Sequence, residues 1–397
     1  MRDTRLVRIW VGIVAFSIGL HGTIPLSSYY RHKLGASTGD ITLLYSLYAF
    51  ALIPALVVFG SSSDVRGRRR IVLPAMAVTT AASLLFATDG NLGVLFVARS
   101  LQGWATGMFW GASSAFLLDY VDPKHRLDAS MVLSATFMGS IASGIFLFGA
   151  AYSILDSATG PWLLHAGLMV VAIALVATVP EPRAMRPTRA HIAVALPQPE
   201  HRRAFFAFIT PLTFGLIGLG AYVVALGPRF VEEARPSSSV SAQGAAVALA
   251  LAVGATAQVA TRRLGVRRVT AAGAVLMPAG GFLIVAALVT SSLVLTVLGM
   301  AFVGIGMGLS FRGLFAMTEL MTTAADRAGV ISTFSIAFYL ANALPVVSGG
   351  YAVAWLGLTT VTAVLTGFAT AVAVYAYATN MWAADTAVVP SISPPPH

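Results

Sequence analysis

The chain alternates long apolar runs with short polar connections about a dozen times, and each run is about as long as a lipid bilayer is thick. A helical crossing needs about 20 mostly apolar residues, because in hydrocarbon every backbone polar group must be bonded within its own segment. Such runs lie near 6–28, 41–60, 71–88, 92–117, 128–152 and 162–179, and again near 204–228, 241–260, 269–289, 292–317, 329–352 and 355–377. The sequence therefore predicts an all-α membrane protein with twelve transmembrane helices. Composition agrees: 57% of the 397 residues are hydrophobic and 10% are charged, against about 25% charged in soluble domains. The first run follows the basic segment MRDTRLVRIW without a small-residue cleavage site, so it is read as a retained span.

The runs divide six and six. The segment 180–203, PEPRAMRPTRAHIAVALPQPEHRR, is rich in proline and arginine and reads as a linker in water. The expected organisation is an N-terminal six-helix bundle over 1–179, a cytoplasmic linker over 180–203, a C-terminal bundle over 204–377 and a cytoplasmic, disordered tail over 378–397. The halves echo each other at fixed offsets. Gly67 and Arg69 match Gly265 and Arg267 at 198 residues, and Gly103, Gly107 and Arg126 match Gly304, Gly308 and Arg327 at 201. Two pseudo-symmetric six-helix bundles with a site between them form a transporter plan.

The formal charge of +10 does not indicate nucleic acid, because the basic residues sit in short clusters between apolar runs. They report orientation instead. With both termini cytoplasmic, 19 of the 25 Lys and Arg residues fall on the inner side, four in outer loops, and two, Arg99 and Arg312, within spans. This is the positive-inside pattern of a multi-pass protein of the cell inner membrane. Cysteine is absent, which excludes disulfides and thiolate chemistry. No His-Glu-x-x-His, Gly-x-Ser-x-Gly or P-loop occurs, and the seven histidines are scattered. An enzyme, a metal site and a cofactor are therefore not expected.

The inner loop GSSSDVRGRRR, Gly60 to Arg70, is the most specific element. Gly67 permits a tight turn. The arginines can pair with Asp119 at the inner end of the fourth span, so Asp64, Gly67, Arg68, Arg69 and Asp119 can form an ionic latch that holds one conformation. A basic anchor with no gating role remains open for Arg69 and Arg70. The loop resembles the Gly-x-x-x-Asp-Arg-x-Gly-Arg-Arg signature of the major facilitator superfamily, with Gly60, Asp64, Gly67, Arg68 and Arg69 on its positions and Val65 where an arginine is common. ARSLQGWATG resembles the family's fourth-helix motif through Arg99, Gln102, Gly103 and Gly107. The first two spans are similar to those of the twelve-helix drug and metabolite efflux branch, which includes multidrug-resistance proton antiporters. The resemblance implies alternating access by two rocking bundles and associates Arg99 with proton coupling. The fifth span, ATFMGSIASGIFLFGAAY, has Gly139, Gly144 and Gly149 but lacks the proline usual in that branch.

No Asp or Glu lies in the middle of a span. Proton carriers are therefore sought in His21, whose ordinary pKa near 6.5 suits exchange, in Asp40 and in Arg99. Asp40 also reads as a helix cap behind Ser37, His21 as a packed histidine, and Arg99 as a snorkelling side chain. Arg312 shares a helix face with Gly304 and Gly308 and can meet either a substrate anion or Glu319. Tyr45, Trp104 and Trp110 are candidate walls of an aromatic cavity, and Gln102, Gln258 and Asn342 its hydrogen-bonding groups; packing between helices is the alternative for each. Pro25, Pro54, Pro211 and Pro345 are placed to kink helices.

The expected function is a monomeric secondary transporter with a small-molecule substrate and the proton as coupling ion, exporting a drug or metabolite. Proton-coupled uptake of a small organic anion is the first alternative, and a transporter-like receptor or membrane enzyme the second.

Overall fold

A computed structural model describes residues 4–59, 66–182, 194–323 and 326–379. Gly60, Asp64, residues 183–193 of the proposed linker and nearly all of the proposed tail lie outside them. Among the described residues thirteen α-helices follow one another: α1 (Thr4–Ile18), α2 (Ser27–Leu34), α3 (Thr38–Phe59), α4 (Arg68–Ala87), α5 (Leu92–Leu118), α6 (Arg126–Leu155), α7 (Thr159–Ala177), α8 (Pro199–Ala234), α9 (Val240–Ala260), α10 (Val266–Thr290), α11 (Leu293–Leu320), α12 (Arg327–Leu356) and α13 (Leu358–Ala378). No strand occurs among the described residues.

Ten of these helices meet the length and hydropathy of a membrane span on their own. The other two crossings depart for physical reasons. Arg99 and Gln102 lower the hydropathy of α5. The first crossing, read as one helix over 6–28, is broken: α1 stops at Ile18, a series of turns follows, and α2 resumes at Ser27. Gly19, Gly22 and Pro25 lie in that break, where the chain's continuous helical bonding is hard to maintain. The seventh crossing is also irregular. α8 begins in the expected linker, at Pro199, and contains two wide turns, Phe205–Ile209 and Thr213–Ile217, on either side of Pro211. Wide turns of this kind absorb an extra residue without ending the helix.

The offset repeat is realised in three dimensions. Gly67 and Gly265 are the residues preceding α4 and α10. Arg126 and Arg327 open α6 and α12, which have 30 residues each. Gly103 and Gly107 of α5 face the backbone of α3 at Tyr48 and Leu52, as Gly304 and Gly308 of α11 face that of α9 at Ala250 and Gly254. Each pair thus lets two helices approach until carbonyl oxygens fill the space a side chain would need.

The halves meet along two seams, α3 against α12 and α6 against α9. On the first, Ser46 Oγ donates to the Ala343 carbonyl at 3.1 Å. On the second, Gly149 lies against Ser241 and Gly244 against Ile145. In the fifth crossing Gly144 also approaches the Ile18 carbonyl, whereas no described atom lies within 4 Å of a Cβ placed on Gly139. Strict alternation of crossings puts Arg68, Arg126, Arg267 and Arg327 at one end of the bundle, here called the basic end.

Side-chain bonds between halves gather at the opposite end. Arg31 Nη1 lies 2.9 Å from Glu232 Oε2, Ser28 Oγ donates to Gln243 Oε1 at 2.7 Å, and Arg229 donates to Thr38. Tyr351 packs on Gly39, and Thr42 on Gly350. These contacts close that end between the halves.

Candidate functional site: a buried arginine at the break in the first crossing

A helix that stops inside a membrane leaves carbonyls without partners. Three side chains from other helices supply the donors here. His165 Nε2 reaches the Ala15 carbonyl at 3.0 Å, Gln102 Nε2 donates to Gly19 at 2.9 Å, and Arg99 Nη1 donates to Leu20. Because a carbonyl only accepts, His165 Nε2 carries the hydrogen; its Nδ1 lies 2.8 Å from Ser83 Oγ. Sequence reading missed His165 and Ser83 because the break that needs them is itself tertiary.

Arg99 is the eighth residue of α5, about 10 Å from its start at 1.5 Å per residue. It is fully buried. Nη1 also donates to Gln102 Oε1 at 2.6 Å, and the guanidinium carbon sits 4.6 Å from the Tyr48 ring centroid. Nη2 lies 3.4 Å from His21 Nδ1. Nε has no partner. No described carboxylate pairs with this cation. Every acidic residue in a described helix sits in its first or last turn or at its cap.

His21 is half-buried in the break. Arginine can only donate, so His21 Nδ1 accepts and, in the neutral ring, Nε2 bears the hydrogen. The Tyr45 and Tyr48 rings flank it, with centroids at 5.9 and 5.7 Å. Tyr45 packs also against the core of the second half. His21, Tyr45, Arg99 and Gln102 therefore come together from the first crossing, α3 and α5.

Other candidates are placed elsewhere. Asp40 forms a reciprocal cap at the start of α3: its Oδ2 accepts from Ser37 N at 2.9 Å and Ser37 Oγ at 2.7 Å, while its own N–H bonds Ser37 Oγ at 3.1 Å. That cap lies at the end of the bundle, apart from the His21–Arg99 cluster. Trp104, two residues from Gln102, is turned about 200° around the helix; it is 37% exposed and lines an outward groove with Leu47 and Phe96. Trp110 stacks on Phe137 inside the first half, centroids 3.7 Å apart. Arg312 does not pair with Glu319, which lies 3.4 Å from Arg327 instead. Its guanidinium is spent on the exposed carbonyls ending α9, Thr261 at 2.6 Å and Arg262 at 3.0 Å. Gln258 donates to Met138 Sδ at 3.0 Å across a seam, and Asn342 to the Phe338 carbonyl in its own helix at 3.1 Å.

At the basic end Gly67 has φ +102°, a conformation that side chains rarely adopt. Arg68 Nε lies 3.2 Å from Asp119 Oδ2. Arg69 Nη1 donates to the carbonyls of Ala177 and Val179 at 3.1 and 3.0 Å, where α7 ends. The backbone N–H groups of Arg68 and Arg69, which start α4, are accepted by Glu181. Glu181 was not singled out from sequence, although an isolated acid directly after the sixth run, on the side of the arginine loop, was the available signal. A carboxylate on a helix N-terminus satisfies orphan donors and meets the positive end of the helix dipole. Glu181→Gln is expected to lower stability by about 1 kcal/mol, while Glu200→Gln, on an exposed first turn, stays within about 0.5 kcal/mol. Thermal unfolding of the purified chain checks both.

A model described as Major Facilitator Superfamily matches residues 9–264. The quinolone resistance protein NorA of Staphylococcus aureus (strain MRSA252) is 23% identical over 141 residues, which cover 36% of this chain and 35% of that protein. The puromycin resistance protein pur8 of Streptomyces alboniger is 31% identical over 192 residues, covering 46% and 37%. The chain thus spans little more than a third of the length of the curated relatives it matches. Among solved structures, a bacterial homologue of the human lysosomal transporter Spinster superposes with a TM-score of 0.76 at 14% identity, covering 98% of each chain.

Proposed function

Because the chain belongs to the major facilitator superfamily, we propose that it is a secondary active transporter that exports a small organic compound across the cytoplasmic membrane by alternating access, driven by inward proton flow. Both termini lie in the cytoplasm in this reading, which the basic-residue count supports. The observation that carries the proposal is the buried Arg99 between the broken first crossing and Tyr48, with a titratable histidine in contact with it. A buried cation without a counter-ion among the described residues is costly in a membrane and is retained where function uses it. The export direction rests on the resistance proteins that match parts of the chain.

The two bundles rock about the seams. The bonds Arg31–Glu232 and Ser28–Gln243 hold the outer end shut in one state, and the Arg68–Asp119 pair with its neighbours braces the inner loop of the first half. His21 is the group that exchanges protons. Uptake of a small organic anion would use the same site, and the unpaired charge of Arg99 favours it; the two readings differ in direction.

Everted vesicles carrying the chain separate them. On addition of a transported compound, an imposed pH gradient should fall, and His21→Ala or Arg99→Ala should remove the response. An unchanged response in both variants would contradict the assignment of the proton site. Accumulation of the compound inside everted vesicles means export; its loss from them means uptake.

A further inference from the structure

We propose that the cleft where α8, α9 and α11 meet, at the end opposite the basic end, is a binding site for one anionic phospholipid of the surrounding leaflet. Its phosphate rests on Arg235 and one acyl chain runs along α9.

The cleft follows from small side chains. Ala242, Ala245, Ala246 and Leu249 fall at i, i+3, i+4 and i+7 of α9 and share one face. The three alanines leave room that Leu293 and Val297 of α11 do not fill, and a cavity of about 570 Å³ remains. Another face of α9 is spent on the first half, where Gln243 bonds Ser28 and Gly244 lies against Ile145. Beside the cleft Leu249, Val294 and Leu298 are exposed on membrane-spanning helices, so it opens sideways to lipid.

Polarity is graded along the cleft. Its mouth is formed by Arg235 and the serines 237–239 in the connection between α8 and α9, and its lower wall is wholly alanine, leucine and valine. From Ser239 to Leu249 the wall runs about 15 Å at 1.5 Å per residue. A phospholipid has the same order from head to tail: charged phosphate, polar glycerol, apolar chain. A soluble anion would match the mouth alone.

Charge selects among lipids. Near the end of α8, Glu232 is paired with Arg31 and His32, and Glu233 with Arg229. The Arg235 guanidinium has no described partner. Its backbone is nonetheless fixed: its N–H donates to the Val231 carbonyl and its carbonyl accepts from Ser238, both at 2.9 Å. Pro236 then keeps α8 from continuing. Ser238 Oγ accepts from Gln243 and Ser239 Oγ from the Ala242 N–H, which leaves the Ser237 hydroxyl. A guanidinium with a hydroxyl beside it suits a phosphate diester. The uncompensated charge favours a lipid of net negative charge over a zwitterionic one.

The test places the full chain in phosphatidylcholine vesicles. These carry a trace of phosphatidylglycerol with a photoreactive group midway along one acyl chain or, in parallel, phosphatidylcholine with the same group. After illumination the labelled peptides are mapped by mass spectrometry. Phosphatidylglycerol is expected to label residues 242–249 and 293–297 about fivefold more than phosphatidylcholine does. Arg235→Gln should bring the two to one level, and Ala245→Phe, which fills the groove, should remove labelling by both. Arg268→Gln, exposed at the basic end, should change nothing there. Labelling elsewhere on the chain, read from the same samples, reports that each variant is folded and inserted. Equal labelling by the two lipids would overturn the inference, as would equal losses from Arg235→Gln and Arg268→Gln, which mean a general surface charge. Displacement of the label by excess glycerol phosphate would mean a site for a soluble anion and would overturn it too.

Discussion

Arg99→Gln is expected to lower transport about a hundredfold, the largest loss of any single substitution in the bundle. The reason is that Arg99 performs two tasks at once. It bonds the Leu20 carbonyl and Gln102 at the break in the first crossing, and it holds His21 in one tautomer. Hydrogen bonds to charged groups contribute about 1.5–3 kcal/mol each, and a loss near 2.7 kcal/mol corresponds to about a hundredfold in rate. Arg99→Lys distinguishes the tasks. Lysine keeps the charge but lacks the planar fork that serves two acceptors and a ring nitrogen together, so thermal stability should recover more than turnover does. Equal recovery of both would mean that the charge alone matters. Transport rate and melting temperature, measured on the same preparations, decide.

The second large effect is structural. Gly304→Val should destabilise the second half by about 3 kcal/mol or more, because its Cβ would fall on the Ala250 carbonyl of α9 and a backbone atom cannot step aside as a side chain can. Gly103→Val should do the same in the first half, against the Tyr48 carbonyl of α3. Gly111→Ala and Gly167→Ala have open space around the added methyl group. They should be neutral or add about 0.5–1 kcal/mol through helix propensity. Thermal unfolding of all four variants checks this, and parallel losses at Gly304 and Gly103 are what the repeat requires.

Much of this was legible in the sequence because the bilayer acts on local composition. A run of 20 apolar residues declares a crossing whatever its neighbours do, and the offset of 201 that pairs Gly103 with Gly304 indicated two halves built on one plan. What stayed hidden depends on which face a residue turns to and on backbone groups freed elsewhere. Trp104 and Gln102 are two residues apart and face in nearly opposite directions. Arg312 serves the carbonyls ending α9 because that helix stops there, and nothing in its own neighbourhood of sequence says so. His165 caps a break in the first crossing that hydropathy reads as continuous. Glu181 and the Arg31–Glu232 pair are matches between distant segments, and a charge in a loop does not name its partner.

The central claim is that two six-helix halves rock, opening one end as the other closes. The chain has no cysteine, so introduced cysteines carry spin labels uniquely. Leu155→Cys with Ser237→Cys spans the halves at the closed end, and Lys124→Cys with Arg263→Cys spans them at the basic end; all four positions are exposed. Distances across both pairs are measured by double electron–electron resonance in lipid vesicles, with and without a transported compound. Alternating access predicts two populations at each end, the Leu155–Ser237 distance lengthening under the conditions that shorten Lys124–Arg263. Single distances at both ends that no condition changes, or distances that lengthen together, would contradict it.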